Sequence, residues 1–82
     1  MFTDVNEAVE VAVIFKKDSV RPSILKWGGR IYKIEKINMV HKFLVGQTLT
    51  YCFSVSDGHN FFKLLFDTQK LRWELEQVYH EG

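Results

Sequence analysis

The residues of this chain that could do chemistry are few and scattered. Asp57 and His59 flank Gly58, which sets a carboxylate and an imidazole on either side of one glycine. General acid–base work needs such groups within reach of a reacting atom and held by a further partner. None stands nearby in the sequence, and Asp-Gly between two alternating apolar runs is itself a hairpin signal that accounts for Asp57. His41, His59 and His80 with Cys52 are zinc-binding residue types, but no two of them have the spacing of a metal motif. Cys52 is the only cysteine and falls in the middle of an alternating run, where it reads as a small strand residue rather than a reactive thiol. There is no Cys-x-x-Cys, nucleophile elbow or glycine-rich phosphate loop. The sequence points away from an enzyme and gives no catalytic residue, metal ligand, cofactor or small-molecule ligand.

A second chemistry is electrostatic. Residues 16–42 hold eight lysines and arginines against two acids, although the whole chain carries only +1. Within this segment Lys26, Arg30, Lys33, Lys36 and Lys42 are candidates for a nucleic-acid or partner surface, with Trp27 or Tyr32 as a stacking platform. The small net charge argues against an affinity resting mainly on phosphates.

These residues need elements to position them. Eighty-two residues make one domain, 1–82. A lone cysteine suits a reducing, cytoplasmic setting. No apolar run approaches the roughly 18 residues of a membrane span. The acidic start of the chain is unlike a secretory signal.

Residues 48–79 read as a three-strand meander. A two-residue turn at Asp57-Gly58 pairs Val55 with Asn60, Phe53 with Phe62 and Tyr51 with Leu64. Leu49, Tyr51, Phe53, Val55, Phe62, Leu64 and Phe66 then share one face, and Cys52 stands opposite Lys63. A second turn at Thr68-Gln69 pairs Phe66 with Leu71, Leu64 with Trp73 and Phe62 with Leu75. It sets Lys63 across from Glu74 and Asp67 across from Lys70. The rival is a helix from Asp67, with Leu71, Leu75, Val78 and Tyr79 at helical spacing and Gly82 after it. Trp73 lies on the strand stripe and off the helical one.

Gly28-Gly29 is a permissive two-residue turn. It pairs Trp27 with Arg30, Lys26 with Ile31, Leu25 with Tyr32 and Ile24 with Lys33. Trp27, Leu25, Tyr32 and Ile34 face the core, with Arg30 beside Trp27, and Lys26 and Lys33 face away. Ile34 and Ile37 break alternation, which predicts a bulge around Glu35-Lys36 and a bent strand. Val9, Val11, Val13 and Phe15 alternate over a first strand of about seven residues. The fold class is all-β: about six short antiparallel strands in a strongly bent sheet or small, partly open barrel, closed by the meander. Phe61 and Leu65 fall on the meander's polar face. Either the N-terminal strand or a second chain must cover them, so they are candidates for self-association. Two functions stay open: an interaction or accessory module with a protein partner or a homo-oligomer, and a nucleic-acid binder.

The segments "ILKWGGRIYKIEKI" and "FSVSDGHNFFKLLFDTQKLRWELEQVY" resemble a family of small bacterial all-β domains of unknown function. Members of that family occur as lone chains and at the C-terminal end of Y-family DNA polymerase-like proteins. The resemblance covers about residues 20–80 and implies a strand over 71–79. The chain departs from the family pattern at His80, where Asp is common, and near Phe43, where a tryptophan is common. The resemblance implies no established activity.

Overall fold

The computed structural model describes residues 1–80. It is built of seven strands: β1 (Phe2–Lys16), β2 (Ser19–Trp27), β3 (Arg30–Lys33), β4 (Lys36–Val45), β5 (Thr48–Ser56), β6 (Asn60–Asp67) and β7 (Arg72–His80). They form one antiparallel sheet in the order β3-β2-β1-β7-β6-β5-β4. The sheet curls without closing, because its two edge strands, β3 and β4, do not pair with each other. No helix among the described residues is long and apolar enough to cross a membrane.

Two long stretches of chain produce the curl. The first half of β1, Phe2–Val9, pairs with β7, while Glu10–Lys16 pairs with β2. A register shift between Asp4 and Glu7 accommodates Asn6 at φ 53°. Asparagine tolerates that left-handed conformation better than most residues. A second shift, between Ala12 and Val13, falls where Pro22 is the partner. Proline has no N–H to give a ladder and is confined to such places. The other stretch is β3–β4. Its two strands are separated only by Ile34 and Glu35, yet lie at opposite ends of the sheet order. The Ile34 N–H donates to the Ser23 carbonyl on β2, and the Glu35 N–H donates to the Ser56 carbonyl on β5, each at 2.9 Å. The bent strand that the broken alternation predicts is broken at Ile34-Glu35, and the register shift lies further on, between Ile37 and Met39 rather than at Glu35-Lys36. Divided in two, the strand raises the count from six to seven.

The concave face is the core. Phe53, Val55, Phe62, Leu64, Phe66, Trp73, Leu75 and Val78 from β5–β7 meet Leu25 and Ile34, with Val5, Val9, Val11 and Val13 packed against them. Phe66 stacks on Trp73 at 4.6 Å across β6 and β7, and the approach of Tyr32 on β3 to Phe62 on β6 at 5.1 Å ties distant parts of the sheet together. Trp73 is buried on this face beside Leu75, which decides for the strand over the helix. Gly82, the cap of that helix, lies outside the described residues.

The hairpin at Gly28-Gly29 has the register its sequence implies, with both glycines at positive φ. The other two expected turns are longer than they look. Phe53 pairs with Leu64, not Phe62, and Val55 with Phe62, not Asn60. Cys52 therefore stands opposite Leu65 rather than Lys63. In the next hairpin Phe66 pairs with Trp73 and Leu64 with Leu75. Leu71 falls in the loop at φ 56° and is exposed, not in the core. Lys63 reaches Glu76 at 3.5 Å instead of Glu74, and Asp67 is paired with Arg72 instead of Lys70. The first strand runs fifteen residues rather than seven.

The cause is the same in both loops. The Asp57 carboxylate accepts the N–H groups of His59 (3.0 Å) and Asn60 (2.7 Å). The Asp67 carboxylate accepts those of Gln69 and Lys70, both at 2.9 Å. An aspartate closing an Asx-turn opens a four-residue loop, whereas a type I′ turn places it inside a two-residue one. Burial pushes the Asp57 carboxyl up, but the N–H donors of Asn60 and His59, the Asn60 amide and the nearby His59 outweigh it and leave it below its ordinary value.

Asp57→Ala should therefore lower stability by about 1 kcal/mol, a figure reduced for partial exposure, while Asp57→Asn, which keeps an acceptor oxygen, should cost less. Because the folded carboxyl titrates below the unfolded one, its contribution is complete above the unfolded value of about 3.9 and is lost as pH falls through the folded value. Thermal melts should show the gap between wild type and Asp57→Ala at neutral pH, narrowing toward pH ~2.

Candidate interaction surface

The convex face of the sheet is organised in rows across the strands. Reading from β4 to β1, the pairings align Lys36, Ser56, Phe61, Tyr79 and Phe2 in one row and Met39, Ser54, Lys63, Gln77 and Asp4 in the next. A third row holds His41, Cys52, Leu65, Glu74 and Ala8. A fourth holds Phe43, Thr50, Asp67 and Arg72.

On this face β5 presents only Thr50, Cys52, Ser54 and Ser56. Its neighbours present larger side chains, Met39, His41 and Phe43 from β4 and Phe61, Lys63 and Leu65 from β6. The result is a trough along β5 with a floor of small residues. Thr50, Cys52 and Ser56 are buried between the taller walls. At the Ser54 end the trough opens into a cavity of about 540 Å³, bordered by Asn38, Phe61, Lys63, Gln77, Tyr79 and Phe2. Tyr79 links the aromatic wall, its ring 4.9 Å from Phe2 and 6.0 Å from Phe61.

The two residues expected to need a cover, Phe61 and Leu65, form one wall of this trough. Tyr79 of β7, with Phe2 of the N-terminal strand beyond it, covers Phe61 only in part, and Phe61 remains 42% exposed. Across β5 from them, β4 is bonded along one side only, to β5. Met39, Val40, Phe43, Leu44 and Val45 on β4 are all exposed. A long apolar strand with an unpaired edge is a template for pairing with another chain.

The basic residues are divided. Lys26 and Lys33 lie on β2 and β3, and Lys26 stands 3.9 Å from the Glu10 carboxylate. Arg30 follows the Gly28-Gly29 turn. Lys36 begins β4, and Lys42, near its other end, lies over the Tyr51 ring at 5.3 Å. Trp27 and Tyr32 are half-buried against the core and offer no platform beside Lys33. His41 stands opposite Cys52 across β4 and β5, and His80 is engaged by the Asn60 side chain at 2.6 Å. Among the described residues no group of three or more His, Cys, Asp or Glu side chains is placed to share a metal ion.

Sequence reasoning missed the trough, Phe2 and Tyr79 as part of its wall, and the free edge of β4. A signal for the first was present: every second residue of "TYCFSVS" is small. Comparison of the chain with protein-family models, with curated proteins and with solved structures finds no match in any of the three.

The floor of the trough can be probed through its cysteine. Burial pushes the Cys52 thiol up, Lys63 opposes this and Glu76 adds to it. A buried, protonated thiol is a poor nucleophile. Cys52 should react with an aromatic disulfide reagent at neutral pH far more slowly than the same thiol in denaturant. Equal rates would mean that the trough floor is open to solvent.

Proposed function

We propose that the protein is a small non-enzymatic interaction module that works by self-association through β4 and the convex face beside it. The observation that carries this reading is β4 itself: ten residues bonded on one side only, with five apolar side chains exposed. A second copy supplies the matching edge, since a strand edge is self-complementary about a two-fold axis. Antiparallel pairing of β4 with the β4 of a second copy satisfies both rows of free N–H and C=O groups. It also sets Met39 and Phe43 of each copy against apolar side chains of the other, which adds cross-strand contacts to the backbone bonds. The partly covered wall of Phe61 and Leu65 lies two strands away on the same face and extends the apolar surface. The resemblance of residues 20–80 to small bacterial domains, found as lone chains and at the C-terminal end of Y-family DNA polymerase-like proteins, is compatible with an accessory role.

Sedimentation equilibrium of the full chain from micromolar to near-millimolar concentration tests this. Wild type should shift from monomer to dimer. Met39→Lys combined with Phe43→Lys, both at exposed positions, should hold the chain monomeric with an unchanged melting profile, because a lysine on each copy's edge repels its mate. A wild-type chain that stays monomeric at near-millimolar concentration sinks the reading.

A further inference from the structure

A second cleft, on the concave side, belongs to neither the trough nor the apolar edge. It lies between the turn joining β1 to β2 and the β4–β5 hairpin, with a volume of about 420 Å³. Its floor is Val40 and the buried Phe53. Tyr51 and Phe15 stand at its sides, and Lys16, Lys17 and Lys42 line it against the single acid Asp18. It exists because the sheet does not close. On the side away from β1, β2 is paired with β3 only over Ile24–Trp27, which leaves Ser19–Pro22 without a strand partner there, and β4 has no strand beyond it.

The two ends of the basic segment, separated by more than twenty residues in sequence, meet in this cleft. They meet around aromatic rings. Phe15 is on the inward-facing stripe of β1 with Val9, Val11 and Val13, yet it is 68% exposed, because nothing across the gap covers it. Among the described residues its ring is stacked on no other aromatic ring. Tyr51 has one neighbour, Phe53, at 5.9 Å, and carries Lys42 above its ring. That contact fixes one ammonium at the cleft mouth. An aromatic ring open to solvent beside several lysines has two complementary halves to its ligand, a flat π-surface and an anion.

We propose that this cleft binds single-stranded nucleic acid, with Phe15 stacking on a base and Lys16, Lys17 and Lys42 holding phosphates. A duplex keeps its bases stacked inside and cannot present a face to Phe15. An acidic peptide satisfies the lysines but leaves the ring unused. A second copy paired on the β4 edge would occupy this gap, so the test is run on Met39→Lys with Phe43→Lys as well as on wild type.

Fluorescence anisotropy with a labelled oligothymidylate of about 10 nucleotides tests it, since such platforms engage roughly 4–16 nucleotides. The comparisons are a duplex of equal length and a polyglutamate peptide. Wild type should bind the single strand in preference to both, and should lose about tenfold in affinity between about 50 and 150 mM salt, as three phosphate contacts on a single strand require. Phe15→Ala should weaken binding about fivefold or more and leave the salt dependence as it was. Lys42→Ala should weaken it and flatten the salt dependence. Both positions are exposed, and an unchanged amide spectrum confirms that each variant is folded. Three results overturn the proposal: no anisotropy change at near-millimolar protein, equal binding of duplex or polyglutamate, or full affinity in Phe15→Ala.

Discussion

The step from Ile34 to Glu35 is the constraint on which the rest of the structure depends. One residue bonds to β2 and the next to β5, so adjacent peptide groups tie down opposite halves of the sheet. A flat sheet of seven strands would hold these halves far apart, since neighbouring strands are spaced about 4.8 Å. Satisfying both bonds forces the sheet to curl until its ends approach. The curl makes the concave face small enough for one layer of aromatic and branched side chains to fill. Tyr32 near the β3 end and Phe62 on β6 come into contact only because of it. A flat single sheet would leave both faces of its strands to solvent, which a chain this short cannot spare.

Faces were legible in the sequence and the registers of the two aspartate loops were not, for a physical reason. Side chains alternate with period two, so the apolar set of β5 and β6 is fixed by the order of apolar and polar residues alone. The two-residue turn and the four-residue loop at Asp57 differ in register by two, which leaves every side chain on the same face. Alternation cannot tell these apart. The choice lies in where the aspartate carboxylate finds its donors, and both Asp57 and Asp67 find them two and three residues ahead. Gly28-Gly29 carries no such side chain, and its short turn was legible. The first half of β1 was hidden because Asp4, Asn6 and Glu7 interrupt its alternation and the bulge at Asn6 changes its phase.

The candidate surfaces show the same division. Phe61 and Leu65 could be identified as misplaced apolar residues from their neighbours' pattern, since a polar face with two large apolar side chains is an anomaly within one hairpin. The trough needed long-range information. Its floor comes from β5, its walls from β4 and β6, and its aromatic end from Phe2, which joins Tyr79 only through pairing of the two chain ends. The concave cleft is more distant still from anything local, because Phe15 and Lys42 meet across a gap that no hydrogen-bonded pair spans.

Both surfaces trace back to β4, and this follows from the bend. Having left β2 at Ile34, the chain can pair β4 with β5 but cannot return to β2, so β4 is left with one free edge and two exposed faces. Apolar residues there gain nothing from the core of a single copy. Val40 faces the concave cleft, while Met39 and Phe43 face the convex side. A strand serving only as the rim of a monomer would be better built from polar residues, which resist edge-to-edge pairing at no cost to the core. The five exposed apolar side chains of β4 are therefore the feature on which the proposed self-association rests, since the core of one copy leaves them unused.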